Sequence, residues 1–422
     1  MSETVDSGVF YIGQIPMSWS CTRIGHVCEK LERSCEMADP TLICSNQGNV
    51  VYREGKSMGQ TSDKLSAFQG VQEGDLLIHG MDTWHGAVAV SSLKGKCSGV
   101  VHVCESSQNK RFLAYYLRTH AFHGVYKAIT NGVRGNTSDL RSWAKARTLY
   151  IAFPSLQLQG KIADYLDRKS AAIDELVSRR QQMIEKLREL KKSIIAQAVT
   201  KGIRPNRPLK DSGVPWIGKI PDEWRVVPSR HLFRESKKTR IEGDEMLAAT
   251  QKFGVIPQSE YMKRIGARIV SASKDLDKWK HVDAGDFVIS LRSFQGGLEL
   301  CTIRGCVTWH YIVLKQNMGP LDRSFFKWLF KSRPYIRALQ MTSDYIRDGQ
   351  DLRYSNFKKV PLMLPLIAEQ QEIADYLDKK CAEIDEMIAR HTGIIEKLKE
   401  LKVSLIANVV TGKVDVRPQP NS

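Results

Sequence analysis

Two segments of this chain, 211 residues apart, have almost the same sequence. They cover residues 162–200 and 373–411, and 24 of their 39 positions are identical without a gap. A second repeated pair lies upstream of them. Residues 6–19 read DSGVFYIGQIPMSW, residues 211–224 read DSGVPWIGKIPDEW, and nine of the 14 positions match. We call this pair the DSGV segments. Two repeated pairs in the same order indicate a chain built from two halves of one plan.

The blocks between the repeated segments differ from each other. Residues 20–155 and 225–365 match only at scattered places, such as Pro154 opposite Pro365. An old duplication whose halves drifted apart is one explanation. Drift alone would not confine the near-identity to the repeated segments, so we favour two similar scaffolds that carry two different blocks.

Apolar residues in the longer repeats follow a heptad pattern, which is typical of packing helices. One predicted packing seam consists of Leu166, Ile173, Leu187, Ile194, Leu377, Ile384, Leu398 and Leu405. A second predicted seam consists of Leu176, Met183, Leu190, Met387, Ile394 and Leu401, with Val177, Ile184, Ile388 and Ile395 widening the apolar stripe. An amphipathic helix of this length needs a partner, and each repeat can supply one to the other. The repeats therefore predict an antiparallel coiled coil, which gives the chain an approximate two-fold axis.

The two blocks have a mixed pattern of elements. Apolar stretches at 76–78 and 287–289 follow Gly-Asp turns and predict buried strands, whereas residues 112–118 and 325–330 predict helices. The predicted fold class is α+β, with two α+β domains separated by two long helices. The predicted boundaries place domain 1 at 1–155, the first long helix at 156–203, domain 2 at 204–365, the second long helix at 366–413 and a tail at 414–422.

Charge separates the long helices from the blocks. The chain has 63 Lys and Arg against 46 Asp and Glu, a net charge of +17. The repeat at 162–200 carries +2 and the repeat at 373–411 carries −1, so the blocks and linkers hold nearly all of the excess. A basic surface can simply keep a protein in solution, but this distribution favours polyanion partners for the blocks and protein partners for the helices.

Four polar, glycine-containing loops are candidates for contact with nucleic acid. They are HGMDTWHG at 79–86, LRSFQGG at 291–297, NGVRGNTSDLR at 131–141 and RDGQDLR at 347–353. Arg and Lys can read guanine, and Asn and Gln can read adenine, in the major groove. Such loops are also common as solvated turns, but these fall at similar places in both blocks. The predicted DNA-contacting residues are His79, Trp84, His85, Arg134, Asn136, Arg292, Ser293, Gln295, Arg347 and Gln350.

Motifs of catalysis, metal binding and targeting are missing from the sequence. A phosphate-binding loop ending at Gly55-Lys56-Ser57 would need glycine where Val50 stands, and HExxH, CxxC and dinucleotide-binding motifs do not occur. The nine cysteines are expected to be reduced thiols. Because no signal peptide or membrane-spanning run is found, we expect a cytoplasmic protein without membrane contact. We also expect no catalytic residue, no metal and no cofactor in this chain.

The repeated segments resemble the specificity subunits of type I restriction–modification systems. The resemblance is carried by residues 211–224, by PLMLPLIAEQQEIADYLDKKCAEIDEMI at 361–388 and by IEKLKELKVSLIANVVTGKVDV at 395–416. The first half repeats the arrangement with PSLQLQGKIADYLDRK at 154–169. It departs from the pattern at residues 157–160, where QLQG stands in place of the AEQQ of residues 368–371.

The resemblance implies that each block is a target-recognition domain reading one half of a split, asymmetric site in double-stranded DNA. It implies that the paired helices space the halves and dock two modification subunits, which methylate adenine N6 with S-adenosylmethionine. Two restriction subunits, which are motor–nucleases using ATP and Mg²⁺, would join them. Two alternatives stay open: a coiled-coil adaptor that meets nucleic acid non-specifically, and an enzyme such as a nuclease with an unrecognised site.

Overall fold

The computed structural model describes residues 3–54, 64–130, 137–267, 276–290, 293–342 and 352–416. The chain divides into two compact units. Unit 1 comprises Met1–Gln181 and Thr392–Ser422, and unit 2 comprises Gln182–His391. Each unit therefore holds one variable block, the first part of one long helix and the last part of the other.

Unit 1 combines short strands with helices of very different length. Its strands are β1 (Thr4–Asp6), β2 (Gln14–Pro16), β3 (Ser20–Arg23), β4 (Cys28–Lys30), β5 (Leu42–Cys44), β6 (Val50–Tyr52), β7 (Phe68–Val71), β8 (Leu76–His79), β9 (Val88–Val90), β10 (Gly95–Ser98), β11 (Val101–Ser106) and β12 (Tyr150–Phe153). Its helices are α1 (Lys110–Phe122), α2 (Val125–Ile129), α3 (Trp143–Ala146) and the start of α4 (Leu156–Lys201). Short 3₁₀ helices cover Ile24–His26, Leu65–Ala67 and Asp82–His85.

Unit 2 has the same kinds of element. Its strands are β13 (Leu209–Asp211), β14 (Lys219–Pro221), β15 (Arg225–Val227), β16 (Phe233–Ser236), β17 (Leu247–Thr250), β18 (Gly254–Pro257), β19 (Lys280–Val282), β20 (Phe287–Ile289), β21 (Glu299–Leu300), β22 (Gly305–Val307), β23 (Ile312–Gln316) and β24 (Leu362–Leu364). Its helices are α5 (Ser229–Leu232), α6 (Gln258–Ile265), α7 (Ser293–Gly296), α8 (Arg323–Lys331), α9 (Arg333–Gln340), α10 (Tyr354–Phe357) and the start of α11 (Ile367–Val410), with a 3₁₀ turn at Leu276–Lys278.

The sheets of the two units correspond strand for strand. Unit 1 has an antiparallel sheet in the order β4-β11-β8-β9, and unit 2 has one in the order β16-β23-β20-β21. The smaller antiparallel pairs match in the same way: β1 with β2 and β13 with β14, β3 with β12 and β15 with β24, β5 with β6 and β17 with β18, and β7 with β10 and β19 with β22. The predicted α+β class is confirmed, and the two blocks of unlike sequence share one topology.

The long helices pair in an antiparallel direction within unit 1. Lys402 of α11 donates to Asp174 of α4 across 2.7 Å, although both side chains are partly exposed and the pair marks register more than it stabilises. Nearer the start of α4, Ile162 and Leu166 share a buried cluster with the end of α11, namely Ile406, Val409 and Val410. Residue numbers thus rise along one helix as they fall along the other.

Unit 2 repeats this pairing with the roles of the helices exchanged. Lys191 of α4 lies 2.6 Å from Asp385 of α11, and these two residues are the repeat counterparts of Lys402 and Asp174. Buried residues of α4 pack with the start of α11 through Ile195, Ala198, Val199, Ile373, Ala374, Leu377 and Cys381. The predicted antiparallel pairing of the two helices is confirmed in each unit.

The buried stripe of the long helices follows an 11-residue spacing rather than the predicted heptads. Its isoleucines are at most 8% exposed and recur every 11 residues, at Ile162, Ile173, Ile184, Ile195, Ile373, Ile384, Ile395 and Ile406. Eleven residues correspond to about 3.67 per turn, near the 3.6 of a straight helix, whereas heptads require 3.5. Of the first predicted seam, Leu166, Ile173, Leu187, Leu377 and Ile384 are buried, and Ile194, Leu398 and Leu405 are half-buried.

The second predicted seam is wrong for most of its members. Five of its six side chains are between 40% and 56% exposed: Leu176, Met183, Leu190, Met387 and Leu401. The isoleucines placed beside the seam by the heptad pattern, such as Ile184 and Ile395, are buried instead. A stripe with the longer period drifts away from heptad positions within a few turns. Both long helices consequently present apolar side chains to solvent.

A buried glutamine fixes the start of each long helix to the adjacent domain. Gln159 donates to the carbonyl of Pro154 at 2.8 Å and accepts from the backbone N–H of Asn109, the N-cap of α1, at 3.0 Å. Gln370 donates to the carbonyl of Pro365 at 2.9 Å and accepts from the backbone N–H of the α8 N-cap, Asp322, at 2.9 Å. The first half departs from the family pattern at 157–160, yet it keeps this one glutamine.

The DSGV segments pack against α1 and α8, and the first of them also packs against the end of α11. Trp19 contacts Phe112 with ring centroids 6.2 Å apart, and Trp224 contacts Phe325 at 6.4 Å. Gly412, just after α11, has a positive φ of 75°, and a Cβ there would lie 2.5 Å from Cγ of Pro16. Only glycine fits this close approach, so the repeated tryptophan segment and the helix end form one structural unit.

Candidate nucleic-acid interface

Half of the predicted DNA-contacting residues can be placed. In unit 1, His79 is the last residue of strand β8, and Trp84 and His85 follow that strand. In unit 2, Ser293 and Gln295 lie on α7, which follows the corresponding strand β20. The remaining five fall outside the residues that the structure describes: Arg134, Asn136, Arg292, Arg347 and Gln350. The described residues of these two segments, 79–86 and 293–297, therefore follow corresponding strands in the two units.

His79 shapes the loop of unit 1. Its Nδ1 accepts from the backbone N–H groups of Met81 at 3.3 Å and Asp82 at 3.0 Å, so the ring proton sits on Nε2, 3.5 Å from the Asp82 carboxylate. Burial lowers the pKa of His79, against the opposing effect of Asp82, and the imidazole is neutral at pH 7. The result is a 3₁₀ turn that leaves Trp84 half-buried and His85 exposed.

Ser293 has a structural role in the loop of unit 2. It is fully buried, and its Oγ accepts from the backbone N–H of Ser290, the residue after β20, at 2.8 Å. Gln295, two residues later, is exposed. Gln295 is therefore accessible to a ligand, whereas Ser293 is not.

Each loop lies beside the tip of a β-hairpin. In unit 1 the tip between β5 and β6 reads SNQGN, and its exposed Asn46 and Gln47 line one groove of about 620 Å³ together with His85. In unit 2 the tip between β17 and β18 reads QKF, and Gln251 packs so closely on α7 that a Cβ at Gly296 would lie 2.7 Å from its Cδ. The fold thus joins two polar loops at the same place in both units.

A cationic and aromatic cluster extends the hairpin tip of unit 2. The Lys252 ammonium lies 5.1 Å from the Phe253 ring centroid, and the Arg264 guanidinium of α6 lies 4.9 Å from it. Tyr261 meets Phe253 edge to face at 6.3 Å. Phe253 and Tyr261 are half-buried. Cations held over aromatic rings can bind phosphates, and the accessible part of such rings can stack on bases.

The described residues give no metal centre or membrane helix. Among them, no group of three or more His, Cys, Asp or Glu side chains is placed to hold a metal ion. All nine cysteines lie in described ranges and are free thiols, and burial raises the pKa of Cys44 to about 12. In the described part of the chain no helix is long and apolar enough to cross a membrane.

Comparison with known proteins identifies the fold. No protein-family model matches the sequence. A chain from a structure of the type I R-M system, solved to explain its complex assembly and conformational transition, superposes with a TM-score of 0.70. It shares 16% identity and covers 95% of this chain and 99% of its own. The HsdS subunit from Thermoanaerobacter tengcongensis superposes with a TM-score of 0.52 at 17% identity, covering 95% of this chain and 98% of its own.

This chain has the fold of a type I R-M specificity subunit. The likeness covers nearly the whole length, including both units and both long helices. Because identity is low, the likeness concerns architecture alone.

Sequence reasoning missed the hairpin tip of unit 1 in this specificity-subunit fold. The signal was present, since SNQGN stands between the strand-like stretches LIC and VVY, and a glycine-containing polar turn between such stretches predicts a hairpin. The tip in unit 2 carries no comparable amide cluster. Its place becomes visible only when the two units are aligned by topology.

Proposed function

We propose that this chain is the DNA sequence-specificity subunit of a type I restriction–modification complex. Each unit reads one half of a split, asymmetric site in double-stranded DNA. The long helices dock two modification subunits, which methylate adenine N6, and two restriction subunits complete the complex. The chain acts in the cytoplasm and carries out no catalysis of its own. S-adenosylmethionine, ATP and Mg²⁺ belong to the partner subunits.

One observation carries this proposal: the same scaffold presents unlike side chains at the same places. Unit 1 offers Asn46, Gln47 and His85, whereas unit 2 offers Gln251, Lys252 and Gln295 at the corresponding tip and loop. Amides favour adenine, and cations favour guanine or phosphate. Two domains of the same topology that present different polar groups suit a target whose halves differ in sequence.

The exposed side of the long helices supports the docking of partner proteins. Each unit contributes exposed apolar side chains to it: Leu176 and Leu401 in unit 1, Met183, Leu190 and Met387 in unit 2. Apolar rows of this kind are costly in water unless another surface covers them. Since they recur at repeat-related positions, two copies of one partner would meet similar surfaces.

The hairpin tip of unit 1 provides a direct test. We expect the double variant N46A/Q47A, studied as the full chain with a modification subunit, to lose about 1–3 kcal/mol of discrimination at one or two base positions. Those positions should lie in one half-site, with the other half-site unchanged. The measurement is a binding competition between the target duplex and single-base variants, and Q14A, an exposed amide on β2, is the matched control.

The same measurement separates the alternatives. An adaptor that binds nucleic acid non-specifically would lose affinity for every duplex alike, which would refute base reading by this tip. A nuclease would cleave DNA as the purified chain with Mg²⁺, and no cleavage is expected here.

A further inference from the structure

Helices α1 and α8 are equivalent down to single positions. Their N-caps are held by the matching glutamines Gln159 and Gln370. Six residues after each cap, an aromatic side chain donates to the long helix: Tyr115 Oη to Asp167 at 2.8 Å in unit 1, and Trp328 Nε1 to Asp378 at 2.9 Å in unit 2. Asp167 and Asp378 are repeat counterparts. Nine residues after each cap stands a cation, Arg118 in unit 1 and Lys331 in unit 2.

The two cations differ in their partners. Lys331 forms an ion pair with the buried Glu299 of β21, which lies opposite Val288 in the sheet. The counterpart of Val288 in unit 1 is Leu77, and the residue opposite Leu77 is Ala89. Unit 1 therefore keeps the cation of this pair and lacks the acid.

Arg118 is left as a buried charge. The residue is 9% exposed, its Nε has no hydrogen-bond partner within the described ranges, and its guanidinium lies against Gly48 and 5.8 Å from the Phe122 ring centroid. Burial lowers the pKa of Arg118. Asp174 attracts it electrostatically, but that carboxylate is engaged by Lys402 at 2.7 Å. A buried cation without a partner is costly, and a bound anion relieves that cost.

The surroundings of Arg118 suit an oxyanion. The arginine lines the groove of about 620 Å³ together with Asn46, Gln47, Lys399 and Lys402. Asp174 also lines this groove, and its carboxylate is paired with Lys402. We propose that Arg118 and this groove bind a phosphate group. A guanidinium matches the oxygens of a phosphate in a paired geometry.

The phosphate source that the geometry favours is the DNA backbone, an assignment that rests on the proposed function. Asn46 and Gln47 would face a base edge while Arg118, behind them, holds the adjacent phosphodiester. Such a contact fixes register without reading sequence. Free inorganic phosphate offers the same chemistry and is the other source to be tested.

The test compares R118M with K127M in the full-length chain. Both remove one positive charge, but Lys127 lies on the exposed side of α2. R118K, which places at 118 the residue type of Lys331, controls for folding. In chloride buffer we expect R118M to melt at or above the temperature of the unchanged chain, because it removes an unpaired buried charge. Added inorganic phosphate, at constant ionic strength, should raise the melting temperature of the unchanged chain, K127M and R118K. It should leave the melting temperature of R118M unchanged.

Duplex DNA provides the second arm. We expect R118M to weaken binding about tenfold on every sequence and to lower the salt slope by about one, relative to K127M. A phosphate response without this DNA effect would support the site with free phosphate as its ligand. If the chain binds phosphate through Arg118 but binds all duplexes equally, the phosphate site is supported and the proposed reading of DNA sequence is refuted. The inference is overturned if R118M and K127M respond alike to both phosphate and DNA.

Discussion

Removal of one turn from both long helices is expected to change the gap in the DNA target without changing the bases read. Deletion of residues 181–184 and 392–395 removes the same four positions from each repeat, and the ion pairs that mark the antiparallel register within each unit are kept. Four residues shorten a helix by about 6 Å and rotate the remainder of the helix by about 40°. Along the axis of DNA, a shift of about 6 Å corresponds to about two base pairs, and a rotation of about 40° corresponds to about one. Methylation at the original motif should be lost entirely and appear at a motif with a shorter gap.

A matched substitution makes this result interpretable. Q182A alters an exposed side chain in the same segment and should leave motif and gap unchanged. The deleted protein must remain folded, which circular dichroism of the purified chain would verify. Altered bases in either half-site with an unaltered gap would contradict the division of labour between units and helices.

The second large effect concerns a buried ion pair in unit 2. Glu369 at the start of α11 accepts from the fully buried Trp224 Nε1 at 2.9 Å and pairs with Arg207, whose side chain is 11% exposed. E369A leaves the indole N–H of Trp224 without an acceptor and leaves Arg207 with only the exposed Glu223, 2.7 Å away, as its acid. We expect it to lower the free energy of unfolding by about 3 kcal/mol, measured by chemical denaturation.

Two variants test the cause of that loss. E369Q keeps an acceptor for Trp224 but removes the charge, so it should lose only part of the stability. E372A breaks the exposed pair with Arg204 one helical turn along, and it should change stability little because water screens that pair. Equal losses in E369A and E372A would contradict a special role for the buried pair. The first half has Leu158 at the position of Glu369, so this network belongs to unit 2 alone.

Much of the architecture was predictable because it depends on residue patterns that are local in sequence. The repeats predicted the two long helices and their antiparallel pairing, and the Gly-Asp turns marked β8 and β20. In the structure the acids of those turns, Asp75 and Asp286, accept from the backbone N–H groups of Gln72 and Asp283. These features depend on neighbours in sequence, which is why residue patterns reveal them.

Other features depend on contacts that sequence spacing does not encode. Heptad and 11-residue periods differ by less than a fifth of a residue per turn, so the apolar pattern alone did not select the buried face. The sequence pattern predicted Ser293 to be an accessible polar residue, because nothing in the pattern reveals that its side chain is buried. Arg118 was not predicted as a binding residue. The absence of an acidic partner at the strand position of Glu299 becomes apparent only when the structure places Ala89 there.

The most direct test of sequence reading by this chain is a map of N6-methyladenine in a host that lacks adenine methylation. The host would express this chain with its modification subunit, and a second culture would express the modification subunit alone. We predict methylation at one split motif, with two different half-sites and a fixed gap, only when this chain is present. Formation of the complex without any sequence-defined methylation, or methylation at the same motif without this chain, would contradict the proposed specificity function.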